Sequence, residues 1–256
     1  MIIKKTLNDI DKMAAAGDVL VQTMRLVEGK IRAGVTTEEL DLAAEKFIKS
    51  MGAKPAFKGY RGFPGSICAS PNDMVVHGIP GPIALENGDI LSVDIGVIKD
   101  GWVADAARTF PVGEVSSLAN NLLTTTREAL FAAVKQCFPG NRMGDISNAV
   151  QTLVESNGFS VVRSLVGHGI GRDMHEDPQV PNYGVPGRGI QLEEGMVFAI
   201  EPMVTAGAHM VRMGDDGWAI YSQDNSLAAH FEFTVAVTSN GPRILTPWHE
   251  APPSGA

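Results

Sequence analysis

Cysteine is scarce in this chain, with Cys68 and Cys137 the only two among 256 residues. That scarcity argues against a disulfide-stapled scaffold and for a reducing compartment. Basic side chains are outnumbered, 21 Lys and Arg against 29 Asp and Glu, giving a net charge of -8. A broad cationic face of the kind that nucleic acid or anionic lipid needs is therefore not expected. No apolar run approaches the ~18 residues of a membrane span. The start, MIIKKTLNDIDK, also lacks the apolar stretch of a signal peptide. Cytoplasm is the expected location, with neither a membrane nor nucleic acid as a direct partner. What remains, 44% hydrophobic and 20% charged residues, is the composition of an ordinary packed, enzyme-sized fold. The length accommodates one large domain or two small ones.

Thr6 is placed to cap a helix whose residues Ile10, Met13, Gly17, Leu20, Met24, Val27 and Ile31 recur in steps of three and four, ending near Gly34. A second helix follows Thr36, with Glu39 completing a capping box. Its Leu40, Ala44, Phe47 and Met51 face one way before Gly52 stops it. Two more helices are expected, from about Ser117 to Cys137 and, after the breaker Pro139-Gly140, from about Met143 to Ser156. The rest reads as strands and loops. From Pro247 the tail PWHEAPPSGA has the composition of a frayed terminus. One internal similarity stands out: LENGDILSVD (85–94) against LEEGMVFAIE (192–201), each a turn, a glycine, an apolar strand and an acid. Chance likeness between two buried strands is the plain alternative, and the acid at the same offset weighs against it.

Acids stand in apolar company at four places. ILSVDIGV, residues 90–97, is a nearly continuous apolar run that reads as a strand covered on both faces, with Asp94 inside it. The turn signal Lys99-Asp100-Gly101 follows, and the return strand WVADAARTF carries Asp105. A Lys99-Asp100 loop sets Asp94 directly opposite Asp105, and an Asp100-Gly101 loop sets them diagonal on one face. Only a three-residue loop separates them. Two neighbouring carboxylates in an apolar setting repel, so a proton or a cation must lie between them. Glu201 in MVFAIEPMV and Glu232 in HFEFTVAVT repeat the placement. In the latter His230, Glu232, Thr234 and Ala236 alternate with a fully apolar face. One such acid is as readily explained by an ion pair or an exposed edge, but these strands offer few basic partners besides Arg108.

His168, in VGHGIG, is flanked by glycines that let backbone and ligands approach closely, and is the strongest candidate nitrogen ligand. Those glycines do not have the spacing of the dinucleotide fingerprint. His77 in MVVHGIP and His175 in RDMHEDP stand at loop entrances from which a side chain can reach a cleft, although a histidine in such a place, taken alone, is more often a structural or surface one. His209, His230 and His249 have no such context and are set aside. Asp94, Asp105, His168, Glu201 and Glu232 together make a hard, oxygen-rich donor set with too many anions for one ion. Such a set suits two divalent metals, among cobalt, manganese, iron and zinc. Metals ~3.5 to 4 Å apart polarise a carbonyl and activate water near neutral pH, which points to hydrolysis.

The segments GYRGFPGSICASPNDMVVHGIPG, SVDIGVIKDGWVADAARTF, GHGIGRDMHEDPQV, FAIEPM and HFEFTVAV, in that order, resemble the type I methionine aminopeptidases. The likeness runs from about Ile10 to Leu245, and the ordered combination is far more specific than any one segment. It implies an α+β pita-bread (creatinase/aminopeptidase) fold: a curved antiparallel sheet, helices on its outer face and two halves related by a pseudo-twofold. Residues 1–246 would form one such domain, followed by the tail 247–256. By the same resemblance Asp94 binds one metal, His168 and Glu201 the other, and Asp105 and Glu232 bridge the pair. The activity implied is removal of the initiator methionine from nascent proteins, with a small second residue favoured. Glu201 would handle the proton of the attacking water, His175 stabilise the oxyanion and His77 contact the scissile amide. The nascent polypeptide N-terminus is the implied partner, with the ribosome nearby, and the enzyme a monomer. The absence of a long N-terminal extension or a helical insertion fits type I.

The family's apolar methionine pocket maps onto Phe57, Tyr60, Phe63, Cys68, Met174 and Trp218, where a thioether packs well among rings and sulfur. Without the resemblance these six read as plain core. Phe57 stands where the family often has a smaller residue, Met174 where an aromatic is common, and Phe233 where a histidine is frequent. Two rivals remain open. Proline-directed peptidases of the same fold usually carry a further N-terminal domain, and a non-catalytic pita-bread domain would have lost metal ligands, none of which is lost here.

Overall fold

Helices form where the sequence supplies caps, and the computed structural model describes residues 1–249 of the chain. Helix α1 (Leu7–Glu28) starts at Thr6, whose side chain accepts the Asp9 amide while Asp9 caps Thr6 in return. It ends six residues before Gly34. The left-handed Gly34 serves the connection to the next helix, giving its N–H to the Leu85 carbonyl. Ile31 accordingly lies outside α1. Ile10, Met13, Gly17, Leu20, Met24 and Val27 are buried as expected. A methyl group on Gly17 would collide with the Leu245 carbonyl, so the helix lies directly on that backbone. Helix α2 (Thr37–Ser50) has the Thr36–Glu39 box, but buries Leu40, Ala44 and Ile48, leaving Phe47 and Met51 half-buried. Helix α3 (Ser117–Val134) stops three residues short of Cys137, and α4 (Met143–Ser156) has the expected bounds.

Among the described residues the strands form four antiparallel sheets. In the first, β4 (Ile90–Lys99) pairs on one side with β5 (Trp102–Pro111), and on the other with β1 (Lys54–Pro55) and β2 (Ile67–Pro71). The last, of five strands, has β9 (Val197–Ile200) between β7 (Gly167–Gly169) and β14 (Phe233–Thr238). Beyond these lie β8 (Glu176–Val180) and β15 (Gly241–Ile244) at its edges. Two small sheets complete the set: β6 (Ser160–Val161) with β10 (Met203–Thr205) and β13 (Ala228–His230), and β3 (Met74–Val76) with β11 (Val211–Met213) and β12 (Ile220–Ser222).

The likeness between 85–94 and 192–201 is structural. The α1–α2 connection clasps Leu85, with Gly34 N–H on its carbonyl and its own N–H on Val35. The α3–α4 connection clasps Leu192 in the same way through Gly140 and Asn141. In equivalent places Glu39 and Asp145 accept the backbone N–H of Thr36 and Arg142 ahead of the following helices. Helix α1 packs on β4 and β5, and α3 on β9, β10 and β13, so each half lays a helix pair on its own strands.

The halves meet along β5 and residues 230–234, where threonines replace part of the ladder. Thr234 accepts the Asp105 N–H and donates to its carbonyl, the Glu232 N–H donates to Ala107, and Thr109 exchanges both bonds with His230. The seam thus fixes acids from both halves beside one another. Of the expected tail, Pro247–His249 lie within the described residues, and there the expectation of fraying fails. Trp248 is buried, stacks on Phe233 at 4.6 Å and donates its indole N–H to the Glu232 carbonyl. A large ring had a core to join, whereas the proline and small residues that suggested fraying lie mostly beyond it; residues 250–256 are outside the described residues.

Candidate metal centre and active-site cavity

The hairpin loop is Asp100-Gly101, both with positive φ, as a two-residue primed turn requires. Register then pairs Asp94 with Ala107 and Gly96 with Asp105, so the two acids are diagonal on one face. The Arg108 side chain takes the opposite face, against Phe110 and Trp248 and 3.0 Å from Glu28. It neutralises none of the cluster. Asp94 is half-buried, contrary to a strand covered on both faces, because that face opens into a cavity.

Glu201 and Glu232 are not in strand interiors. Each stands at a break, Glu201 between β9 and β10, Glu232 between β13 and β14, where the chain passes from one sheet to another. There the carboxylates turn toward the Asp94–Asp105 face. His168, in β7, has Nε2 3.8 Å from Asp105 and 3.7 Å from Glu201, while its Nδ1 faces the Gly169 carbonyl at 2.9 Å. Asp105, His168 and Glu232 can each offer one atom within 4.8 Å of the others.

These acids resist ionising together. Burial, then the charges of Asp105 and Glu201, raise Asp94 well above the usual carboxylate range. Burial pushes Asp105 up to about 7. Glu201 is raised by burial and by Asp105, and Glu232 by burial and all three other acids. Asp94 Oδ1, Asp105 Oδ1 and Glu232 Oε1 are buried without a hydrogen-bond partner among the described residues. Orphaned carboxylate oxygens facing one another, with a neutral imidazole among them, fit a divalent cation and little else. The donor set therefore fits the expected metal site.

The cavity has a volume of about 300 Å³. The five candidate ligands line it together with Phe57, Tyr60, Phe63, Cys68, His77, Met174, His175 and Trp218, so it brings all thirteen expected site residues together. Beside the acids is a wall of rings and sulfur, with Cys68 the cross-strand neighbour of Asp94. Phe63 meets Trp218 edge-on at 5.1 Å. The two unusual pocket residues are neighbours: a methyl group on Gly96 would touch Phe57 at 2.7 Å and Met174 at 2.8 Å. Both side chains thus lie over this bare stretch of β4. Phe233 points away, into the core under Trp248.

His175 stands at the cavity rim. Its Nδ1 is 2.9 Å from the Tyr60 hydroxyl, and its ring centre 4.2 Å from that of His168. Desolvation, with help from His168, Arg61 and His77, pulls its imidazole down to about 4. His77 holds a left-handed backbone, φ 61°, and burial lowers its imidazole too. The loop before β8 is shaped by Glu176, which accepts the Arg172 and Asp173 amides and pairs with buried Lys5. Removing one member of a buried pair costs about 3–5 kcal/mol. Lys5→Ala is accordingly expected to lower unfolding free energy by that order, measured by chemical denaturation, and to slow catalysis by loosening Met174 and His175.

The cavity holds residues that the sequence did not single out. Arg61, Val76, Ser164, Leu165, Val166 and Met203 also line it. Only Met203, two residues after Glu201, carried any signal. More consequential is His230, fully buried beside Glu201 and Glu232, which the i, i+2 relation to Glu232 in a strand could have revealed.

A metal-fitting acid cluster on paired half-sheets defines the class, and the sequence comparison agrees: residues 11–239 match the model for metallopeptidase family M24. The chain belongs to that family, and its fold is the pita-bread fold. It is 53% identical to a methionine aminopeptidase of Clostridium perfringens over 96% of this chain and 99% of that one. Methionine aminopeptidase 1 of Bacillus subtilis is 49% identical, with 96% and 99% covered. The crystal structure of methionine aminopeptidase from Rickettsia prowazekii superposes with a TM-score of 0.95 at 42% identity, covering 96% of this chain and 100% of that one.

Proposed function

We infer that this chain removes the N-terminal methionine from polypeptides by metal-dependent hydrolysis of the first peptide bond. The observation that carries it is a single cavity lined both by apolar ring-and-sulfur side chains and by the acid cluster. An unbranched thioether side chain matches the first, and a scissile bond with its free amino terminus matches the second. Relatives bearing that activity in their names, at 49–53% identity over nearly the whole chain, support the assignment.

Two divalent ions held by Asp94, Asp105, His168, Glu201 and Glu232 would polarise the scissile carbonyl and supply nucleophilic water near neutral pH. The chain's own residues do the rest. Glu201, raised by burial, takes the water's proton on a carboxylate oxygen and returns it to the leaving amine. The Tyr60 hydroxyl, by donating to His175 Nδ1 at 2.9 Å, leaves the imidazole proton on Nε2 as a donor for the oxyanion. His77 orients the scissile amide. Phe57, Tyr60, Phe63, Cys68, Met174 and Trp218 hold the methionine side chain, and a small second residue is favoured. The substrates are nascent chains near the ribosome, met in the cytoplasm by a monomer in which residues 1–246, with Trp248 packed against them, act as one domain.

Met-Ala-Ser and an Xaa-Pro dipeptide presented at equal concentration separate this activity from that of proline-directed relatives. Methionine release from the tripeptide is expected to dominate. Preferential cleavage of the Xaa-Pro bond contradicts the assignment.

A further inference from the structure

His230 is 2% exposed, and neither of its ring nitrogens has a hydrogen-bond partner among the described residues. A buried imidazole kept only for packing normally satisfies at least one nitrogen. Its backbone is held on both sides, N–H to Thr109 Oγ1 and carbonyl from the same hydroxyl, each at 2.9 Å, so the ring is aimed by the seam between the halves. It points at the acids. Nε2 lies 3.6 Å from Glu201 Oε2 and 3.8 Å from Glu232 Oε2.

Those separations are too long for hydrogen bonds. They match the spacing of His168, whose Nε2 is 3.7 Å from Glu201 Oε1 and 3.8 Å from Asp105 Oδ2. Two donors bonded at about 2.1 Å to one ion keep roughly 3–4 Å between them. Glu201 thus has an imidazole against each oxygen, in nearly the same relation, and only one of the two is in the expected ligand set. We propose that His230 is a further nitrogen ligand of the metal centre, on the Glu201–Glu232 side. The proposal rests on the metallopeptidase assignment above. It has a chemical consequence: a second imidazole moves the centre's preference from manganese toward cobalt or zinc, since nitrogen donors favour the later metals.

The test uses the full chain stripped of metal, titrated with Co2+ and separately with Mn2+ by calorimetry, with the visible absorption of the Co2+ protein recorded. His230→Gln and His230→Ala are expected to weaken Co2+ binding by at least about tenfold, to alter the cobalt absorption bands, and to weaken Mn2+ binding less. Unchanged Co2+ affinity and spectrum in folded variants overturn the proposal while leaving the peptidase assignment intact. Failure of the wild-type protein to bind Co2+ at all overturns both. Should neither variant fold, a crystal structure of the Co2+-loaded wild type decides: an imidazole nitrogen of His230 within about 2.3 Å of cobalt supports ligation, and one farther than about 3 Å refutes it.

Discussion

Asp105→Asn is expected to abolish methionine release and, at the same time, to make the metal-free protein more stable. Loss of a proposed metal ligand removes several kcal/mol of transition-state stabilisation, which is a fall in kcat/KM of about 10³ or more. The stability change has the opposite sign because Asp105 is a charge in excess when no cation is present: burial pushes its carboxyl up to about 7, and it raises Asp94, Glu201 and Glu232 in turn. A group whose folded pKa exceeds its unfolded value contributes stability fully below the unfolded value and loses it as pH rises through the folded one. Asp105's contribution to metal-free stability should therefore fall away between about pH 4 and 7, by about 1.4 kcal/mol per pH unit for each extra proton held, while the buried imidazoles, pulled down to about 4 at His175 and about 3 at His230, act in the opposite direction. Asp105→Asn should flatten that slope. Melting curves of variant and wild type across this range, without metal, read both effects; a stability difference between the two that does not grow from pH 4 to 7 contradicts the charge argument.

The second large effect belongs to His175. Removing one oxyanion donor costs roughly 10² to 10³ in kcat, so His175→Ala should lose that much while KM for Met-Ala-Ser changes little. Tyr60→Phe should lose less, because it removes only the 2.9 Å contact to Nδ1 through which a donating hydroxyl would hold the tautomer. Since the His175 imidazole is pulled down to about 4, it stays a neutral donor throughout the neutral range. Its titration should not limit kcat above about pH 5. A large rise in KM with kcat unchanged would move His175 from transition-state stabilisation to substrate binding.

Local chemistry was the legible part of the fold. Thr36 and Glu39 announce α2 because a capping box is complete within four residues, and Met143–Ser156 is bounded by breakers at both ends. Where a residue serves a distant partner, sequence misleads. Gly34 looks like the end of α1, yet its left-handed backbone exists to reach Leu85 across the fold. The hairpin left three registers open, and the choice of Asp100-Gly101 is made by two positive φ angles that sequence permits without demanding.

The candidate site was legible for a different reason: carboxylates in apolar strands are costly, so each marks a compensating partner before any coordinates are seen. That argument finds Asp94 and Asp105 in strands. It also finds Glu201 and Glu232, though it misplaces them, because breaks between sheets look like continuous strand when the flanking residues are apolar. His230 escaped because a lone histidine carries no such cost signal; its i, i+2 relation to Glu232 is the one hint the sequence holds, and the three-dimensional neighbourhood of Glu201 and Glu232 gives that hint its weight. Ser164, Leu165 and Val166 reach the cavity from a loop whose course no short-range pattern encodes.

Methionine release from Met-Ala-Ser by protein stripped of metal, before and after Co2+ or Mn2+ is restored, tests the central claim most directly. Activity should be absent in chelator and return with the ion. Hydrolysis undiminished by chelator, or none recovered with either metal in a folded protein, would contradict it.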